Sequence, residues 1–84
     1  MTKQEAHDAL RAWIVATSGK VRPEEIEDDT PVLEQRIISS LHVADLILFI
    51  ESLRQGPIDY SRLNGKSLRS IDTMYEAFLA EAAT

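Results

Sequence analysis

The run Leu41-His42-Val43-Ala44-Asp45-Leu46-Ile47-Leu48-Phe49-Ile50-Glu51-Ser52-Leu53 is the densest apolar stretch of the chain, bounded by Ser39-Ser40 before it and Gly56-Pro57 after it. Its length and leucine-rich composition favour a helix over a strand. Wound as a helix, about 40–54, it sets Val43, Leu46, Ile47, Ile50 and Leu53 on one face. Leu41, Ala44 and Leu48 form a second, narrower apolar line beside Asp45. A helix apolar on more than one side is either central in its fold or has a partner.

Upstream, the helical period vanishes over residues 19–38. Pro23 and Pro31 interrupt the backbone, and Glu24, Glu25, Glu27, Asp28, Asp29 and Glu34 outnumber Arg22. A loop of this length is uncommon in a small domain unless it is anchored or functional, so Val21, Ile26, Val32, Leu33 and Ile37 are expected to fold onto the core. Before the loop, Thr2 and Glu5 have the spacing of a capping box. Ala6, Ala9, Leu10, Trp13, Ile14 and Thr17 then mark one stripe of a helix over about 2–18, closed by Ser18-Gly19. Downstream, Asp59 can cap a short helix over about 59–63 that Asn64-Gly65 ends. Ser70 can cap a last helix over about 70–82 whose inner face is Ile71, Met74, Tyr75, Phe78, Leu79 and Ala82. The expectation is an all-α chain, with Trp13 and Tyr75 as core residues.

Composition narrows the function. The 84 residues suit one domain spanning 1–84, too small for much redundancy in its core. There is no cysteine, so disulfides, thiolate zinc sites and thiol nucleophiles of the chain's own are excluded. His7 and His42 cannot close a tetrahedral metal site without carboxylates, and no metal is expected. A net charge of -5 opposes binding to phosphate backbones, so no nucleic acid partner is expected. No apolar run approaches the ~20 residues that span a bilayer, and the N-terminus does not read as a signal peptide. No membrane partner and a cytoplasmic location are therefore expected.

Nor can a hydrolase triad, a glycine-rich phosphate loop or a zinc-protease motif be assembled, and the chain is not expected to be an enzyme. The chemistry concentrates at Ser39-Ser40-Leu41. Ser39 is placed to cap the helix, which leaves Ser40 at its first position with the hydroxyl toward solvent. A phosphodiester on Ser40 would sit at the positive end of the helix dipole, worth ~0.3–1 kcal/mol at an exposed site. Two serines ahead of a helix also serve simply as caps.

The wider pattern goes further. Asp28-Asp29-Thr30-Pro31-Val32-Leu33 in the loop, then Ser40-Leu41, Asp45-Leu46 and Ile50-Glu51 on the helix, resembles the acyl and peptidyl carrier protein family over nearly the whole chain. The resemblance implies a four-helix bundle with a long loop between helices 1 and 2 and a short third helix. It implies that Ser40 receives 4′-phosphopantetheine from coenzyme A through a phosphopantetheinyl transferase, and that the terminal thiol carries acyl or aminoacyl groups as thioesters. It further implies that Leu41, Ala44, Asp45, Leu48 and Glu51 meet partner enzymes. Those partners would be an acyl- or amino-acid-activating ligase and downstream acyl-accepting enzymes, served by a monomeric, stand-alone carrier. Val43, Leu46, Ile47, Ile58 and Ile71 would line any cleft that shelters the cargo.

One departure stands out: the family usually has Asp-Ser-Leu where this chain has Ser39-Ser40-Leu41, which removes a charge from the cap. His42 also stands where an acid is common. The run from Ser40 to Glu51 looks more like carriers of polyketide, nonribosomal peptide or aminoacyl pathways than those of bulk fatty-acid synthesis. The alternative is an unmodified helical interaction module that docks through Leu41, Ala44 and Leu48.

Overall fold

The structure is a computed structural model that describes residues 1–80. Among the described residues all regular structure is helical and there is no strand. Helix α1 spans Lys3–Ser18, α2 spans Val43–Arg54 and α3 spans Ile71–Met74. Single 3-10 turns occupy Pro23–Glu25, Ser40–His42 and Tyr60–Arg62, and α3 runs directly into a π-helical turn, Tyr75–Leu79.

Helix α1 starts where its local chemistry dictates. The Glu5 amide donates to Thr2 Oγ1 at 3.1 Å and the Thr2 amide donates to Glu5 Oε1 at 2.8 Å, a complete capping box. It ends at Gly19, which adopts a left-handed φ of 67° and donates to the Val15 carbonyl. Ala6, Leu10 and Ile14 form its buried stripe, and Trp13 stacks on Phe49 of α2 with ring centroids 5.7 Å apart. The N-terminal turn also buries His7, only 4% exposed, beside the Tyr75 ring.

The acidic loop is fastened to the core by its backbone as much as by its apolar side chains. Val32 is fully buried; its amide donates to the Arg69 carbonyl at 2.9 Å, and its own carbonyl accepts from Ile37 and Ile38. The chain reverses at Arg36, whose φ of 57° is left-handed, while the Arg36 amide donates to the Leu33 carbonyl. This pair of bonds around a left-handed residue is the arrangement that ends many helices, here built on a single turn. Earlier in the loop, Arg11 Nε donates to the Ile26 carbonyl, and the Asp72 amide donates to the Asp28 carbonyl. Ile26, Val32 and Ile37 are buried as expected, Val21 and Leu33 are half-buried, and Ile38, outside the expected set, is 1% exposed.

Three expectations need correction. The α-helical part of the central helix begins at Val43, because Ser39 and His42 cap a tighter 3-10 turn ahead of it. The expected short helix over 59–63 is one 3-10 turn. Asp59 does cap it, accepting from the Ser61 amide, but Leu63 is already extended and Asn64 Oδ1 captures the Lys66 and Ser67 amides to start a new turn. Three residues cannot sustain an α-helix by themselves. Over 70–82, Ser70 caps α3 by accepting from the Thr73 amide, and the chain then widens to π geometry, with the Ala80 amide reaching the Tyr75 carbonyl at 2.8 Å. Ile71, Met74, Tyr75, Phe78 and Leu79 are all buried, while Ala82 lies outside the described residues. The core forms where α1 and α2 meet α3 and its π turn.

Hydrogen bonds from Thr2 hold the Glu5 carboxyl below the usual carboxylate range, with the backbone donor as the main cause. Its contribution is therefore present above that range and is lost as pH falls through the lowered value. Glu5→Gln keeps an acceptor but does not titrate. In thermal melts the wild type is expected to lead Glu5→Gln at neutral pH, with the gap closing on acidification; a gap independent of pH would contradict the capping role.

Candidate functional site

The site grows out of the loop anchor. With Ile37 and Ile38 turned inward beneath Val32, the next residues emerge at the surface. Ser39 is extended (φ -108°, ψ 170°) and acts as the cap of the 3-10 turn. Its Oγ accepts from the Leu41 amide at 3.3 Å, and its carbonyl accepts from the His42 amide at 3.0 Å. Ser40 occupies the first position of the turn and is exposed, and its hydroxyl makes no hydrogen bond among the described residues. Its oxygen is thus unengaged at the surface, on a turn whose backbone is held on both sides.

His42 completes the turn in a way residue type alone did not suggest. Its Nδ1 accepts the Ser39 amide at 3.1 Å and lies 3.4 Å from Ser39 Oγ. Ser39 and His42 thus occupy the two ends of a capping box in which imidazole takes the place usually held by Glu or Gln. The cap at position 39 is thus made by a hydroxyl and a ring nitrogen acting together.

Beyond the turn, α2 separates its two faces sharply. Leu46 and Ile50 are fully buried, and Val43, Ile47 and Leu53 are half-buried against the core. Leu41 is 88% exposed and Leu48 63%, with Ala44 and Asp45 exposed between them. Helical spacing puts Leu41, Ala44, Asp45 and Leu48 along one side that starts next to Ser40. Glu51 is different: it is half-buried, and its Oε2 accepts from the Ile58 amide at 3.1 Å, tying the end of α2 to the segment that follows.

Among the residues expected to line any cleft that shelters a cargo, Val43 and Ile47 are half-buried. Leu46, Ile58 and Ile71 are buried in the core. Two surface hollows, of about 480 and 720 Å³, lie instead around residues 62–69, the first bordered by Thr73 and Ala77 and the second by Leu33 and Glu34. Neither is lined by Val43, Leu46, Ile47, Ile58 or Ile71. Next to these hollows Arg62 lies beside Asp59 and Arg69 beside Glu34.

A second cluster joins three elements. His7 Nδ1 donates to the Lys3 carbonyl and Nε2 lies 2.9 Å from Asp72 Oδ1, while Arg11 binds the Asp28 carboxylate. His7, Asp28 and Asp72 bring one ligand atom each within 4.8 Å of one another, yet each of these groups already has a partner, one of them a guanidinium that opposes a cation. The cluster acts as a brace that holds α1, the loop and α3 together.

No helix among the described residues is long and apolar enough to cross a membrane. No protein-family model matches the chain, and neither a curated protein nor a solved structure matches it.

The two faces of α2 predict opposite mutational costs. Leu46→Ala is expected to destabilise by about 2–5 kcal/mol in chemical denaturation. Leu48→Ala should stay within ~0.5 kcal/mol of wild type. Comparable losses at both positions would mean that Leu48 is a core residue.

Proposed function

We propose that the chain is a carrier protein that holds an acyl or aminoacyl group as a thioester on 4′-phosphopantetheine attached to Ser40 and delivers it between enzymes. The observation that carries this reading is an exposed, unbonded Ser40 hydroxyl on a capped turn, followed at once by the exposed line Leu41, Ala44, Asp45 and Leu48. A serine that only capped a helix would have its hydroxyl engaged, as Ser39 and Ser70 do. In this reading α1, α2, the 3-10 turn at residues 60–62 and the α3–π segment take the four positions of a carrier bundle.

Attachment would proceed by attack of Ser40 Oγ on the β-phosphorus of coenzyme A. The new P–O bond replaces the one to adenosine 3′,5′-bisphosphate, which leaves, and the hydroxyl proton passes to a base of the transferase. The prosthetic group supplies the thiol that a cysteine-free chain lacks. The chain contributes the attachment oxygen, the turn that presents it and the docking line. Tethering then gives each partner enzyme its substrate at high effective concentration. Charge on the line comes from Asp45, since Glu51 is engaged with Ile58, so partners would read the apolar shape of Leu41 and Leu48 more than charge. An activating ligase would load the thiol and an acyl-accepting enzyme would unload it, in a polyketide, nonribosomal peptide or aminoacyl pathway.

Intact-mass measurement after incubation with coenzyme A and a phosphopantetheinyl transferase tests the reading. One phosphopantetheine is expected on the wild type and on Ser39→Ala, and none on Ser40→Ala. Failure of several transferases to modify the wild type would overturn it and leave an unmodified docking module. Addition that survives Ser40→Ala would move the site.

A further inference from the structure

We infer that His42 is the positioning residue of the turn that presents Ser40, and that its proton uptake loosens this turn, making the site acid-sensitive. The inference deepens the carrier reading and rests on it for what the turn serves.

The amide donors of the turn fall into two groups. The His42 and Val43 amides are satisfied by backbone carbonyls, those of Ser39 and Ser40. The Ser39 and Leu41 amides depend on side chains, the first on His42 Nδ1 and the second on Ser39 Oγ. Because Ser39 Oγ itself sits 3.4 Å from Nδ1, the ring steadies both side-chain bonds at once. Accepting an amide proton requires a lone pair on Nδ1, so the neutral ring must carry its hydrogen on Nε2.

A proton on Nδ1 turns the acceptor into a donor that faces another N–H. The bond is lost and a repulsion replaces it. The surroundings do little to compensate. The turn packs on α2, whose charged residue in the first turn is Asp45, and it follows Arg36 of the loop. Neither makes an ion pair with His42 among the described residues. A glutamate or glutamine in the same place would keep its acceptor through this range of pH, so the histidine is what makes this box acid-sensitive.

Two variants separate the alternatives. His42→Gln restores the usual partner of a serine cap without titrating in this range, and His42→Ala removes the acceptor. Amide hydrogen exchange at Ser39 and Leu41 is expected to speed up by about two- to tenfold in the wild type as pH falls through the histidine range, after correction for intrinsic exchange. His42→Gln should stay protected throughout, and His42→Ala should be unprotected throughout. The rate of coenzyme A-dependent modification, taken as the ratio of wild type to His42→Gln at each pH, cancels the pH profile of the transferase. That ratio should be near one at neutral pH and drop by a similar factor on acidification. Equal protection of Ser39 in wild type and His42→Ala, or a ratio that does not change with pH, would overturn the inference. If no transferase modifies the chain, the carrier reading fails by itself, and the exchange measurement still decides whether His42 holds the turn.

Discussion

The position of Ser40 depends on how one buried residue, Val32, ties the acidic loop to the rest of the molecule. Its amide reaches Arg69 across the chain, and its carbonyl gathers the amides of Ile37 and Ile38. A buried peptide group without partners costs more free energy than a typical contact supplies, so these bonds leave the segment little freedom to lie elsewhere. With Ile37 and Ile38 turned inward, Ser39 must surface, and the capped turn that follows projects Ser40 away from the core. Arg36 is the cost of this path. A residue with a side chain occupies a left-handed conformation, which is tolerated because the two isoleucines after it are buried.

The same anchoring divides α2. Leu46 and Ile50 are buried in the core, and among the described residues the side of α2 that carries Leu41, Ala44 and Leu48 is left exposed. Exposed leucines are tolerable one at a time in a small domain; on the carrier reading proposed above, this line beside an accessible hydroxyl is the surface that partner enzymes would meet. At the opposite end of the helix, Glu51 holds Ile58 and the left-handed Gln55 ends the helix. The His7, Asp72, Arg11 and Asp28 brace fixes the start of α1 to the loop and to α3. Hydrogen bonds and ion pairs thus tie down the structure on either side of Ser40, while Leu41, Ala44 and Leu48 face outward.

Features carried by neighbours in sequence were the most legible. Thr2 with Glu5, Asp59 with Ser61, and Ser70 with Thr73 bond within three residues, so composition and spacing announce them. The buried stripe of α1 and the inner and outer faces of α2 follow equally from period. Other features leave no local signal. The bond from Val32 to Arg69 spans the chain, which is why the depth of Ile38 was not apparent. Arginine has no special preference for the left-handed region, so Arg36 did not read as a turn where glycine or asparagine would have. The π turn at Tyr75–Leu79 brings Tyr75, Phe78 and Leu79 inward together, a matter of packing against α1 and α2 that a helical period of 3.6 does not encode. The use of His42 as a cap appears only when its ring nitrogen is seen beside the Ser39 amide.

On the carrier reading, Ser40, and not its neighbour, bears a covalent arm in the cell. Trypsin cleaves after Arg36 and Arg54, releasing a peptide of residues 37–54 that contains Ser39 and Ser40 together with Ser52. Tandem mass spectrometry of this peptide, from protein isolated from cells that produce it with their own transferase, should place a phosphopantetheine on Ser40. A peptide found only unmodified, or modified on Ser39, would contradict the account.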